Sequence, residues 1–245
     1  MGFRRNKRGD GFETLVIILS VIIAGIIIIG VATWFVSKSS EPRAKAICAA
    51  SVATRANAVI RGIGSEVHLT PLLCTTFDAE INAKGKPHEE VIAELLEYAV
   101  DTWQMFGEGK YVALDNIYFG LSGGNMCFRA YNVKVSGLDS QISWPTIETY
   151  AIHHNVSNMN ISYKNYFEAR PNCHLAVLNN IEDKNIYSIV FASVKLKPVG
   201  ATSYNHNILY IVKLGEPVVT RETYIFGVLY YGEDPCTFVS GVGGK

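Results

Sequence analysis

The alternation of apolar and polar positions along the chain is broken early by one long apolar run. Leu15 to Val36 reads LVIILSVIIAGIIIIGVATWFV, 22 positions without a charge, of which only Ser20, Gly25, Gly30 and Thr33 are not hydrophobic. At 1.5 Å per residue a helix of this length spans roughly 33 Å, the thickness of a bilayer's hydrocarbon core. A helix also satisfies its own backbone groups in lipid. Trp34 lies near one end, where an amphipathic ring suits the membrane interface. The pattern predicts a transmembrane helix over Leu15–Val36, with the lipid bilayer as its partner, preceded by a basic leader at 1–14.

Beyond it the pattern becomes that of a folded domain. Ser39 and Ser40 precede Glu41-Pro42, a hydroxyl cap followed by an acid and a proline in a first turn. Ala44, Ile47, Cys48, Ser51, Val52, Arg55, Ala58 and Val59 then recur at spacings of three and four, which predicts a membrane-proximal helix within 37–62 ending near Gly62. Val67 to Ile81, with Pro71 inside it, reads as one or two short strands. Pro87 to Phe106 is the clearest helix. Pro87 and two glutamates start it, Gly107 stops it, and Val91, Ile92, Leu95, Leu96, Ala99, Trp103 and Phe106 form its apolar face.

From Tyr111 the pattern favours strands. Tyr111–Phe119 and Met126–Val135 flank the glycine-rich Gly120–Gly124, a hairpin-like link. His153–Asn160 reads as a polar loop, and Ser162 as the cap of a short helix through Ala169, closed by Pro171. Ile186–Leu196, Ile208–Leu214 and Tyr224–Tyr231 carry the branched and aromatic residues of strands. The expected fold class is α+β. The transmembrane helix continues into an amphipathic helix, packed on a mixed or antiparallel sheet with one further long helix, and 63–245 form one domain.

Composition sharpens this. The chain has 245 residues, 49% of them hydrophobic, and a mean hydropathy of +0.16. The apolar run accounts for the excess: the other 223 residues are about 46% hydrophobic, ordinary for a globular domain. Such a chain is not disordered. Its 22 basic and 22 acidic side chains balance, which excludes a dedicated nucleic-acid binder. Arg4, Arg5, Lys7 and Arg8 before the run outnumber Lys38, Arg43 and Lys45 after it, so the N-terminus is expected in the cytoplasm and the domain outside it. Residues 37–245 then carry 18 basic and 20 acidic groups.

The hydrophobic stretch is too long for a cleaved secretory signal, and no small-x-small site follows it, so a signal-anchor fits. A basic leader ending at Gly9 or Gly11, followed by Glu13 and an apolar helix, weakly resembles the pilin-type signal, in which the acid stands fifth after the cut. That resemblance implies self-association through the N-terminal helix, where Gly25 and Gly30 allow close approach.

Several further phrases resemble a group of uncharacterised archaeal envelope proteins with one N-terminal membrane anchor. They are KRGDGFETLV at 7–16, CAASVATR at 48–55, PLLCTT at 71–76, DTWQMFGEGK at 101–110 and ISYKNYF at 161–167. The phrase around Phe106, Trp-x-x-Phe-Gly-Glu-Gly-Lys, is the most specific. The chain departs from the group at Thr102, where a cysteine is expected, and at Cys127, where a close pair is expected. The resemblance implies an archaeal cell-envelope address and no activity.

Five cysteines lie at 48, 74, 127, 173 and 236, with no Cys-x-x-Cys pair to suggest structural zinc. Outside the cytoplasm disulfides are permitted; Cys74–Cys127 and Cys173–Cys236 are the pairings considered, beside buried reduced thiols. Gly120-Leu-Ser122-Gly-Gly124 matches the serine-hydrolase string, with Asp139 and His153 or His154 downstream. The residues after it read as a strand where that motif requires a helix. Phe106–Lys110 lacks the spacing of a phosphate loop and follows a helix, so glycine termination explains it better. His153-His154 and Cys173-His174 could offer metal ligands, but neighbours on a strand point to opposite faces. Asn155-Val-Ser157 and Asn160-Ile-Ser162 are glycosylation sequons that matter if the domain is exported.

No residue is assigned a catalytic, cofactor-binding or metal role. The expectation is a single-pass membrane-anchored cell-envelope protein of structural or adhesive role, with a pilin-like subunit as its specific form. A membrane-tethered serine hydrolase using Ser122 and an extracellular ligand or partner receptor are the alternatives.

Overall fold

The computed structural model describes residues 40–57, 59–62, 65–68, 72–111, 126–170, 173–198, 204–215, 223–225, 228–231 and 237–238, with positions 19, 20, 22–24, 26 and 27 of the apolar run. Most of the predicted membrane segment, including Gly25 and Gly30, therefore lies outside the described residues. Those described within it are helical and exposed. Among the described residues no helix is long and apolar enough to cross a membrane.

Helix α1 (Glu41–Asn57) opens at Ser40, whose carbonyl accepts from the Arg43 and Ala44 amides at 2.9 and 3.0 Å. Its buried stripe is Ala44, Cys48, Ser51, Val52 and Arg55, all members of the predicted stripe, whose Ile47 is half-buried and whose Ala58 and Val59 fall beyond the helix. The helix ends before the expected Gly62. Asn57 closes it, donating to the Ala53 carbonyl at 2.8 Å, and β1 (Val59–Gly62) pairs antiparallel with β2 (Ser65–His68). The Cβ-branched Val59 and Ile60, followed by Gly62 and Gly64, favour an extended hairpin over another helical turn.

Three contacts fasten α1 to the rest. A disulfide joins Cys48 to Cys74 in the extended segment before β3 (Phe77–Asn82), with the two Cα atoms 4.4 Å apart. Ser51 Oγ donates to the Cys48 carbonyl at 2.8 Å and accepts from the Leu73 amide at 3.0 Å. Lys45 Nζ lies 2.9 Å from Glu41 and 2.6 Å from Asp101, and 5.4 Å from the Tyr131 ring centroid. Burial opposes the Lys45 charge, but its bonds to Asp101, Tyr131 and Glu41 outweigh that and hold its pKa above the ordinary lysine value.

This pairing replaces both of those considered from the sequence. Cys74 is taken by Cys48, which excludes Cys74–Cys127. Cys173 is a buried free thiol, which excludes Cys173–Cys236. Cys127 is itself disulfide-bonded, and Cys236 lies outside the described residues.

Helix α2 (His88–Met105) spans the domain with Pro87 as N-cap and Phe106 as C-cap, close to the predicted limits. All seven residues of its expected apolar face are buried. They meet a mixed sheet whose main path is β10–β4–β6–β7–β5, with β3 also on β4. The strands are β4 (Met126–Ser136), β5 (Cys173–Val177), β6 (Ile186–Pro198), β7 (Tyr204–Lys213) and β10 (Thr237–Phe238). β4–β6 and β6–β7 are antiparallel, whereas β3–β4, β10–β4 and β5–β7 are parallel. Tyr224–Tyr231, expected as one strand, is two: β8 (Thr223–Ile225) pairs antiparallel with β9 (Val228–Tyr231). The predicted strand Tyr111–Phe119 and the Gly120–Gly124 link lie outside the described residues, Tyr111 apart.

The core between sheet and helices centres on rings. Phe106 stacks on Phe191 at 4.3 Å, and Trp103 lies 5.9 Å from Phe191 and 6.0 Å from Phe167. A bulge in β4 at Ala130 shifts the pairing between Arg129 and Tyr131. It therefore lets Phe128, Ala130 and Tyr131 all join this core. A smaller cluster, Cys127, Val190, Ala192, Ile208, Tyr210 and Val212, is buried on the opposite face of the sheet.

Replacing Cys48 and Cys74 together by Ala is expected to lower the unfolding free energy by about 3–4 kcal/mol, the loop-closure value for a cross-link of this span. Denaturant melts of the full chain in detergent measure it. A double variant as stable as the oxidised wild type would contradict the assignment.

Candidate functional site

Helix α2 leaves its N-terminal turn facing a helix that the hydrophobic pattern did not predict. α3 (Trp144–His153) starts at Ser143, carries Pro145 in its first turn, and buries only Ile147 and Ala151. Proline in a first turn costs no hydrogen bond, because the amide it lacks has no partner within the helix. Its two buried residues are too few for a visible stripe. A cleft of about 350 Å³ opens between the helices, lined by His88, Glu89 and Ile92 of α2 and by Pro145, Thr146, Thr149, Tyr150, His153 and His154.

His153 and His154 thus close a helix, where a loop was expected. The His154 ring stacks on Tyr150 at 3.8 Å, and its Nδ1 lies 3.1 Å from the Tyr150 carbonyl. A carbonyl accepts only, so Nδ1 is the donor in this bond. His88 Nε2 bonds Ser140 Oγ at 3.2 Å. Burial, with the Glu89 and Glu97 carboxylates, pushes the Tyr150 phenol above its ordinary pKa. The cleft brings together aromatic and aliphatic surface, imidazole and hydroxyl groups and the Glu89 carboxylate. Among the described residues no three histidine, cysteine or acidic side chains are grouped to hold a metal ion.

Next to the cleft, His154–Ile161 fold into a tight turn closed by an Asn155–Ser162 bridge. Glu97 of α2 holds it, accepting from Ser157 Oγ at 2.7 Å and from Tyr163 Oη at 2.5 Å. Ser162 caps α4 (Tyr163–Phe167) as expected, accepting from the Asn165 amide at 3.3 Å. That helix is shorter than predicted, ending at Phe167.

The Phe106–Lys110 phrase is a helix terminus. The Gly107 amide bonds the Gln104 carbonyl at 3.0 Å and the Glu108 amide bonds the Trp103 carbonyl at 2.9 Å, the paired pattern of a Schellman motif. Gly107, Glu108 and Gly109 all have positive φ, at 74°, 54° and 71°. A Cβ on Gly107 would overlap the Tyr111 ring, and one on Gly109 would overlap Cys173 Sγ, so both positions require glycine. Lys110 pairs with Glu108 at 2.9 Å, and Tyr166 Oη donates to the same carboxylate at 3.1 Å. The Lys110 bond, despite opposing burial, holds the Glu108 carboxyl below its ordinary pKa. This wiring is structural and leaves no phosphate cradle.

Cys173 and His174 are separated by the sheet. Cys173 joins the main core beside Gly109, and burial pushes its thiol up to about 11. His174 stacks on His206 of β7, their ring centroids 5.3 Å apart. Of the proposed hydrolase residues, Ser122 lies outside the described residues and Asp139 is exposed. Comparison with family models, curated proteins and solved structures finds no match.

Burial first, then the neighbouring His174, lowers the His206 pKa to about 4 from an ordinary 6.5. Between those values the unfolded chain binds a proton that the folded chain refuses. The contribution is therefore whole above about pH 6.5 and is lost as the pH falls towards 4, on the order of 3 kcal/mol in all. Unfolding free energies of wild type and His206→Phe, measured from pH 7 to 4, are expected to converge or cross by that amount. A pH-independent difference would contradict it.

Proposed function

We propose that the chain is a single-pass membrane-anchored cell-envelope protein, its N-terminus cytoplasmic and its α+β domain exported, with a structural or adhesive role. One observation carries this reading. Leu19, Ile22, Ile23, Ile26 and Ile27 are helical and 48–65% exposed. An aliphatic surface of this kind marks contact with a membrane or with another protein surface. The disulfide supports the export, since such bonds persist in oxidising compartments. The resemblance to archaeal anchored envelope proteins points the same way, and lateral packing of the N-terminal helices would give the pilin-like form.

A second reading, a receptor for a small extracellular ligand, is favoured by the cleft between α2 and α3 with His88, Tyr150 and His154 on its walls. The two readings are compatible, since an anchored domain can present a ligand site.

Membranes containing the full chain are expected to retain it through an alkaline carbonate wash. The double variant Ile23→Lys and Ile27→Lys should shift it largely to the supernatant, because each charge at the centre of a membrane helix costs about 3 kcal/mol. Release of the wild-type chain by carbonate would overturn the anchor.

A further inference from the structure

We propose that the turn between α3 and α4 is a modification site, N-glycosylated at Asn155 and Asn160. The proposal rests on the exported reading given above. Both asparagines stand in sequons, Asn155-Val-Ser157 and Asn160-Ile-Ser162, and both are exposed. They are the two flanks of one turn, and Asn155 Nδ2 donates to Asn160 Oδ1 at 3.4 Å. Each amide has a second N–H, and a glycan on either nitrogen leaves the other hydrogen available. The 3.4 Å bond can therefore persist after modification.

The turn is built to carry such a load. Between the asparagines Val156 is buried, its amide bonds the Ile161 carbonyl at 2.9 Å, and Asn158 takes a positive φ of 63°. Glu97 pins Ser157 from below and Ser162 caps α4, so the polar asparagines face outward from a fixed base. Met159 at the tip is 37% exposed, an apolar surface that sugar C–H faces would cover. Because the Ser157 hydroxyl is bound by Glu97 in the folded domain, a transferase reading that hydroxyl must act before the turn closes, during export.

The donor is a polyprenyl-phosphate-linked oligosaccharide. The asparagine Nδ2 forms a bond to the anomeric carbon. The bond from that carbon to the phosphate oxygen breaks, its electron pair leaves with the polyprenyl phosphate, and the amide proton passes to a transferase base. No oxidant or reductant is needed.

The full chain recovered from the membranes of its native cells tests this by peptide mass spectrometry. Trypsin releases both asparagines in one peptide, residues 135–164. The expected result is that peptide carrying glycan mass, with one site lost in Asn155→Gln, the other in Asn160→Gln, and all in the double variant. The same digest, run without reductant, reports whether the Cys48 and Cys74 peptides are joined. A bare 135–164 peptide in protein with that disulfide formed overturns the glycosylation alone. A bare peptide with both cysteines reduced overturns the exported reading together with it. Glycan that persists in the double variant overturns the assignment to these two residues.

Discussion

The attachment of α1 to the sheet layer is the constraint on which the rest of the molecule depends. α1 is the chain's continuation from the apolar segment, and by itself it is a poor candidate for stable docking. Its buried stripe is Ala44, Cys48, Ser51, Val52 and Arg55, small or polar except for Val52, so burial of apolar area contributes little. Covalent and charged contacts supply what area does not. The Cys48–Cys74 bond, the Ser51 bridge to Leu73 and the Lys45 node on Asp101 and Tyr131 fix the helix at three successive levels. The small side chains are what allow the approach, since the two disulfide Cα atoms lie 4.4 Å apart. The joint ties α1 both to the segment that enters β3 and to α2.

Beyond the joint, the domain is organised by α2. Its apolar face meets β4 and β6 through Trp103, Phe106, Phe128 and Phe191, and its end is locked by the left-handed run at Gly107–Gly109. The polar side of the same helix holds the periphery. Asp101 takes Lys45 of α1, Glu97 takes the turn before α4, and Glu94 and Glu90 pair with Lys86. The cleft and the paired asparagines therefore stand on a rigid element, whose helical backbone carries them both.

Features governed by adjacent residues were legible in the sequence. Pro87 and Gly107 bracket α2 because a proline start and a glycine stop are local chemistry, and Ser162 caps α4 for the same reason. The buried faces of α1 and α2 follow from periodicity alone. What depended on tertiary packing was not legible. The partner of Cys74 is 26 residues away on a helix, and only the docking of that helix brings it close. α3 carries a clear Ser-Trp-Pro start but buries just Ile147 and Ala151, so its stripe is lost among polar neighbours. α1 ends before its spacing does: Ala58 and Val59 continue the period, while the branched pair Val59-Ile60 and the glycines after it favour β1. The cleft joins helix starts more than 50 positions apart, and no local motif announces it. The His174–His206 stack requires the parallel pairing of β5 and β7, which short strands conceal.

The Cys48–Cys74 staple and the exposed sequons of the turn before α4 are both what the proposed export of the domain calls for. The redox state of Cys48 and Cys74 in the cell is the direct test. Thiols are blocked in intact cells by a membrane-permeant alkylating agent, and the full chain is then isolated and digested without reductant. The Cys48 and Cys74 peptides are expected joined to one another and unalkylated, with Cys173 alkylated only after unfolding. Alkylated Cys48 and Cys74, or either joined to a different cysteine, would contradict it.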